Sequence, residues 1–162
     1  MQNNENYELC SKCGGRCCKN FGCYISPDEV IKRKGEISFD IILELLKSGY
    51  VAMDWWEGDI LEDDESIPNC ELYCQVFYLR MRHKSEGAIC GSWGGECVCL
   101  TDTGCMFTWN NRPLGGRSLI PTADKACEDT SYTKEQCVLE WREYYDILSE
   151  VYDKYWFDMK YN

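Results

Sequence analysis

The chain has 162 residues, of which 44% are hydrophobic and 14% aromatic, and it carries a formal net charge of -11 at pH 7. This length suits one compact domain with an ordinary core, and the composition excludes a disordered tail. The negative charge repels phosphate backbones and anionic lipid, and no segment approaches the roughly 20 apolar residues of a membrane span, so we expect neither nucleic acid nor a membrane as a partner.

Cysteine is the most unusual part of the composition, with 13 residues. Residues 1–6 lack the basic start and apolar run of a secretory signal, which predicts a cytoplasmic protein in which disulfides are rare. The odd count also fits poorly with complete disulfide pairing. We therefore expect metal ligands, with free or regulatory thiols and a disulfide-bonded binding module as the open alternatives.

A first cysteine segment lies near the N-terminus and has the pattern Cys10-x2-Cys13-x3-Cys17-Cys18-x4-Cys23. The glycines that follow Cys13 allow the backbone to curl, so that two thiolates of the Cys-x2-Cys pair can reach one metal ion. Such a half-site needs two further donors from elsewhere in the chain.

Two helices and two strands are predicted next. Ser26 and Glu29 form a capping box for a helix that ends near Gly35, and Ser38 opens a second helix that ends at Gly49.

The segments from Tyr50 to Trp56 and from Tyr73 to Arg82 are rich in aromatic and branched residues, which predicts two antiparallel strands of a half-buried sheet. Asp54 and Glu57 are placed to pair with the arginines of the second strand.

A second cysteine segment covers Cys97 to Cys105. Residues 96–100 have the alternation of a short strand, which would direct the thiols of Cys97 and Cys99 to the same side. The turn that follows is expected to bring Cys105 back toward them. This segment is the natural supplier of the missing donors.

The region from Trp109 to Ala126 lacks periodicity and is predicted to be a long loop, which Cys127 would tether. Arg112 and Arg117 in this loop are expected to bond its carbonyls or an acidic neighbour, with anion binding as the alternative. An amphipathic helix is predicted from about residue 133 to residue 157.

The remaining cysteines have no assigned ligand role: Cys23, Cys70, Cys74, Cys90 and Cys137. Cys137 lies on the apolar stripe of the last helix and is expected in the core. Cys70 and Cys74 form either an auxiliary half-site or ordinary packing thiols. His83, the single histidine, follows a basic strand end and is predicted to be a surface residue rather than a ligand or a base.

The order of these motifs resembles the bacterial cysteine-cluster proteins described as zinc- or iron-chelating domains, whose signature is written CxxCxxCC. The matching stretches are the two cysteine segments and the sequence from Arg112 to Arg117. The resemblance implies metal ligands at the following positions: Cys10, Cys13, Cys17, Cys18, Cys97, Cys105 and Cys127. Gly116 stands where the family usually places a cysteine, and we take Cys99 as its substitute as a hypothesis.

The sequence therefore predicts a small single α+β domain over residues 1–162, with a short antiparallel sheet, a few helices including a long C-terminal amphipathic helix, and metal-tethered loops. Its expected function is chelation of zinc or iron, since both metals favour soft thiolate donors. The expected ligands are Cys10, Cys13, Cys17, Cys18, Cys97, Cys99, Cys105 and Cys127.

The alternative is an iron-sulfur-cluster enzyme or electron carrier, which the resemblance connects with protein methylation, because some similar proteins are linked to methylation of flagellin lysines. Those proteins are longer, and this chain has no GxGxxG nucleotide loop. No catalytic constellation is recognisable outside the cysteines, so the sequence leaves catalysis open.

Overall fold

A computed structural model describes residues 3, 5–56, 76–91, 94–123 and 129–161. The helices are α1 (Tyr7–Cys13), α2 (Arg16–Asn20), α3 (Pro27–Lys34), α4 (Phe39–Lys47), α5 (Leu114–Arg117), α6 (Lys134–Trp141) and α7 (Tyr145–Tyr161). The strands are β1 (Tyr24–Ile25), β2 (Val51–Trp56), β3 (Val76–Met81), β4 (Leu100–Thr101), β5 (Gly104–Cys105), β6 (Leu119–Ile120) and β7 (Asp129–Thr130). The predicted α+β class is confirmed. No helix in these ranges is long and apolar enough to cross a bilayer.

The main sheet has three antiparallel strands in the order β1-β3-β2. Val51 pairs with Met81 and Trp56 pairs with Val76, which confirms the predicted pairing of the two longer strands. Strand β1 pairs with the other edge of β3 through Tyr24 and Arg80. The short strand β1 thus connects the end of the first cysteine segment to the sheet.

The prediction of a half-buried sheet is wrong, because all six residues of β3 are buried. One face of β3 packs on the C-terminal helices, where the ring of Phe77 lies 4.9 Å from that of Tyr152. The opposite face carries Arg80, which is covered by the segment that contains Glu86. The interior can accommodate the positive charge of Arg80 because this side chain is paired with the carboxylates of Asp54 and Glu86.

Local capping signals correctly predict α3 and α4. The capping box of Ser26 and Glu29 is present, and α3 ends at Gly35. Ser38 is the N-cap of α4, and Gly49, with φ +86°, follows its C-cap residue, Ser48. Because these capping signals depend on residues adjacent in the chain, the ends of both helices can be predicted from the sequence alone.

The predicted C-terminal helix has Thr133 as its N-cap but divides into α6 and α7 at a 3-10 turn over Arg142–Tyr144. Its apolar stripe is buried at Trp141, Leu148 and Val151 and partly buried at Tyr152 and Tyr155, and Cys137 lies in the core with no exposed surface. Its sulfur contacts the carbonyl oxygen of Ile25 at 3.6 Å. Cys137 is therefore a packing residue between the helix and β1.

The predicted loop between residues 109 and 126 contains more structure than its sequence indicates: a 3-10 turn, α5 and strand β6, which pairs with β7. The carboxylate of Glu29 organises this region, since it accepts bonds from the backbone N–H of Leu114 at 2.8 Å and from Arg117 at 3.0 Å. The predicted pairing of these loop arginines with acidic neighbours is confirmed, because Arg112 likewise bonds Glu5 at 2.6 Å.

Candidate metal centre

The first cysteine segment forms two short helices rather than one curled loop. Asn6 caps α1 by accepting a bond from the N–H of Leu9, and Cys10 and Cys13 lie three residues apart on this helix. Gly14 and Gly15, with φ values of 65° and 78°, end α1 and lead into α2. Positive φ is easily adopted by glycine, so this pair allows the reversal that presents Cys17 and Cys18 of α2 to the rest of the site.

The second cysteine segment is a turn followed by a hairpin. The prediction of a strand over residues 96–100 is wrong, because the N–H of Leu100 bonds back to the carbonyl of Cys97 at 3.0 Å. Strands β4 and β5 then pair, with Leu100 opposite Cys105. The expectation that a turn returns Cys105 toward Cys97 and Cys99 is confirmed.

Backbone hydrogen bonds join the two cysteine segments directly. The N–H of Cys97 donates to the carbonyl of Cys18 at 2.6 Å, and the N–H of Gly95 donates to that of Asn20 at 2.9 Å. These bonds are made by the backbone, so they join the two segments without using the cysteine side chains.

His83 strengthens the same junction, and the prediction that it lies on the surface is wrong. It is 2% exposed, and its Nε2 accepts a bond from the N–H of Gly22 at 2.9 Å. Its Nδ1 lies 3.2 Å from a carboxylate oxygen of Glu86. Burial and the charge of Arg80 lower the pKa of His83, so the ring is neutral at pH 7. Both ring nitrogens are engaged, which leaves His83 a structural residue.

Six cysteines lie close enough to this junction for their charges to act on one another, and we call them the thiol cluster: Cys17, Cys18, Cys23, Cys97, Cys99 and Cys105. Their charges act on one another across the two segments, since Cys97 and Cys105 both raise the pKa of Cys18. The same two thiols contribute to raising the pKa of Cys99.

Two hydrogen-bonded pairs stand out within the thiol cluster. The sulfur atoms of Cys17 and Cys18 lie 3.9 Å apart, and the bond between them lowers the pKa of Cys17 to about 6 while raising that of Cys18. The bond between Cys97 and Cys99 lowers the pKa of Cys97 to about 7 and raises that of Cys99. Each pair therefore holds one thiolate near neutral pH, with the second proton retained.

Two cations flank the thiol cluster, and each is also paired with a carboxylate. Arg112 bonds Glu5 and the carbonyl of Phe107, and its charge favours the thiolate of Cys17. Lys84 forms an ion pair with Glu96 and favours the thiolate of Cys97. Their positive charge is shared with these carboxylates, so it offsets the charge of the thiolates only in part.

The predicted ligands outside the cluster have different surroundings. Burial is the main cause of the raised pKa of Cys10, and the charges of Cys17 and Arg112 also act on this thiol. The sulfur of Cys13 accepts a bond from the N–H of Arg16 at 3.3 Å. Cys127 lies outside the described residues, as do Cys70 and Cys74.

Cys23 is the cluster member that the sequence did not assign. The sequence carries no signal for this placement, because Cys23 meets the second cysteine segment only through the tertiary fold. An ideal Cβ built on Gly116 would lie 3.2 Å from the Cys23 sulfur. By resemblance, Gly116 stands where the cysteine-cluster proteins have a cysteine. In this structure Gly116 lies beside the thiol of Cys23.

The donor set suits a soft metal, since thiolates favour zinc and iron over hard cations. Within the described ranges, no three histidine, cysteine, aspartate or glutamate side chains are arranged so that they could hold a metal ion directly. Metal binding at the thiol cluster would therefore require cysteine side chains to rotate.

No family model matches the chain, and no curated protein or solved structure is significantly similar to it. The resemblance to the cysteine-cluster proteins remains a prediction from the motifs. The function is therefore argued from the site itself.

Proposed function

We propose that the protein binds zinc or iron through thiolates of the thiol cluster. The observation that carries this proposal is the junction of the two cysteine segments, where the backbone of Cys97 bonds that of Cys18. These bonds bring donors that are far apart in sequence into one region of the fold. This arrangement lowers the entropic cost of assembling a site from separate segments.

The protonation of the paired thiols supports the same function. The bonds within the pairs lower the pKa of Cys17 to about 6 and that of Cys97 to about 7, so at pH 7 Cys17 is mostly a thiolate and Cys97 is about half ionised. A metal ion requires deprotonated ligands, and it would displace the protons still held by their partners. Binding would then replace repulsion among the thiolates with attraction to a common cation.

An iron-sulfur cluster is the second candidate, because it is also held by four cysteine thiolates, which the six thiols of the thiol cluster can supply. Such a group would supply one-electron chemistry. The chain's own contribution in either case is to supply soft donors and partial shielding from solvent.

Metal analysis of protein purified without oxygen tests the proposal. We expect about one equivalent of bound metal or one cluster per chain. Colourless protein with zinc supports an ion site, whereas visible absorbance with acid-labile sulfide supports a cluster. Cys97→Ser should lose this metal, and Cys137→Ser, which alters a core thiol, should retain it. Wild-type protein that contains no metal and takes up neither zinc nor iron after reduction would overturn the proposal.

A further inference from the structure

We propose that Cys23 is a ligand of this metal centre and that Gly116 provides the space its thiol occupies. The inference rests on the proposed function and extends it to a residue pair that the motifs do not assign. It is carried by three observations: the backbone anchoring of Cys23, its thiol neighbours, and the close approach of α5.

The backbone of Cys23 is held by the main sheet. Its carbonyl accepts a bond from the N–H of Met81 at 2.9 Å, and the next residue, Tyr24, begins β1 opposite Arg80. Cys17 and Cys18, in contrast, lie on the five-residue helix α2. The sheet therefore fixes the backbone of Cys23 on both sides, through its own carbonyl and through the strand that begins at the next residue.

The surroundings of the Cys23 sulfur are those of the thiol cluster rather than of the core. Gly22, the residue before Cys23, donates its N–H to His83, and His83 forms a backbone bridge with Cys97. The charges of Cys97, Cys105 and Cys17 accordingly act on the Cys23 thiol. Cys137 is the informative contrast, because it is fully buried, yet the groups that act on it are Tyr132, carboxylates and Lys134 rather than other thiols. Burial alone therefore does not account for the position of Cys23.

The glycines of α5 explain how the helix can lie against this thiol. An ideal Cβ on Gly115 would lie 2.5 Å from the backbone nitrogen of Tyr24, which is too close for any side chain. Gly115 thus permits α5 to pack on β1. The corresponding distance from Gly116 to the Cys23 sulfur is 3.2 Å, so an alanine there would force the thiol to shift by a few tenths of an ångström.

The test is a zinc titration of reduced protein, without oxygen, in competition with a chromophoric chelator. Cys23→Ser should weaken zinc binding by roughly 100-fold, since it removes one of a few ligands that share a large binding energy. Gly116→Ala retains every thiol and should weaken binding by roughly fivefold, because the thiol is displaced by overpacking. The matched control Cys137→Ser should bind as wild type does.

Circular dichroism of each zinc-free variant shows whether it has folded. If Cys23→Ser folds and binds zinc as tightly as wild type, Cys23 is not a ligand. If Cys23→Ser does not fold, wild-type zinc affinity in Gly116→Ala would overturn the assignment instead. Wild-type protein that binds no zinc or iron would instead overturn the proposed function. The two failures are therefore distinguishable.

Discussion

Two buried polar regions of this molecule differ in whether the chain itself completes them. In the first, Arg80 donates to Asp54 at 2.6 Å and to both oxygens of Glu86 at 2.5 and 3.0 Å. A further bond reaches the carbonyl of Cys90 at 3.1 Å. Such a network of opposite charges and backbone acceptors is satisfied without any external group.

The thiol cluster is the opposite case. It gathers groups of one chemical type, whose ionised forms repel one another, beside cations that are also paired with Glu5 and Glu96. Both regions bring polar side chains together, so the grouping of such side chains does not by itself identify a functional site. What distinguishes the cluster is that its ionisable groups all carry charge of one sign, whereas the Arg80 network joins a guanidinium directly to the two carboxylates that it bonds.

Replacing Arg80 should produce the largest loss of stability. Arg80→Met leaves the buried carboxylates of Asp54 and Glu86 without their partner, which should lower the free energy of unfolding by about 3–5 kcal/mol. Urea unfolding with zinc and with a chelator measures this loss. We expect the same loss in both conditions, and a loss confined to the zinc-bound protein would contradict the separation of the two regions.

Replacing a cluster thiol should affect only the stability that metal supplies. At a zinc concentration of about 100 times the dissociation constant, wild type should gain about 2.7 kcal/mol over its zinc-free form. If Cys105→Ser binds about 100-fold more weakly, its gain at the same concentration falls to about 0.4 kcal/mol. Thermal unfolding with and without zinc measures both gains, and equal gains would exclude Cys105 as a ligand.

Acidification should weaken the Arg80 network and its junction with His83. Burial opposes ionisation of Glu86, but the bonds from Arg80 and His83 outweigh it and lower the carboxyl pKa below its ordinary value of 4.5. The pKa of His83 is lowered from 6.5. In both cases the unfolded chain binds protons at a higher pH than the folded chain does, so stability falls as pH falls below 6.5 and again below 4.5.

Urea unfolding of chelator-treated protein between pH 7.5 and 4 measures this dependence. Glu86→Gln should reduce the slope at the acidic end, because the variant has no carboxyl to protonate at this position. Rising stability between pH 7 and pH 5 would be inconsistent with the assigned shifts.

Loss of the α1 cap should have the smallest effect. Asn6→Ala removes the acceptor for the N–H of Leu9 and should cost about 0.5–1 kcal/mol, mostly as fraying of α1. Amide hydrogen exchange of α1 measures this change. Zinc affinity should fall by less than it does in Cys105→Ser, and a larger fall would move the centre of the site toward Cys10.

Local signals in the sequence predict much of the fold but less of the site. The capping box at Ser26 could be predicted because it depends on neighbouring residues. The pairing of β2 with β3 could be predicted because both segments are rich in strand-forming residues whose side chains alternate between two faces. The burial of His83 was not, since it results from a bond to Gly22, which is 61 residues away. Cys97 and Cys99 were correctly grouped, although a turn rather than a strand brings them together.

The placement of Cys23 was beyond sequence reasoning for a similar reason. Its role depends on the approach of α5 to β1, which the adjacent glycines Gly115 and Gly116 allow. Two glycines in an aperiodic segment are also typical of a loop. The sequence therefore could not show that Gly115 packs on Tyr24 and Gly116 on the Cys23 thiol. In the site that we propose, the absence of a side chain at Gly116 leaves room for the Cys23 thiol.

The central claim, that the thiol cluster binds a soft metal, is tested most directly by titrating the reduced wild-type protein with cobalt(II) in the absence of oxygen. The account predicts intense thiolate-to-cobalt charge-transfer bands that saturate and then disappear when zinc displaces the cobalt. A titration that produces no such bands, in protein whose thiols are shown to be fully reduced, would contradict it.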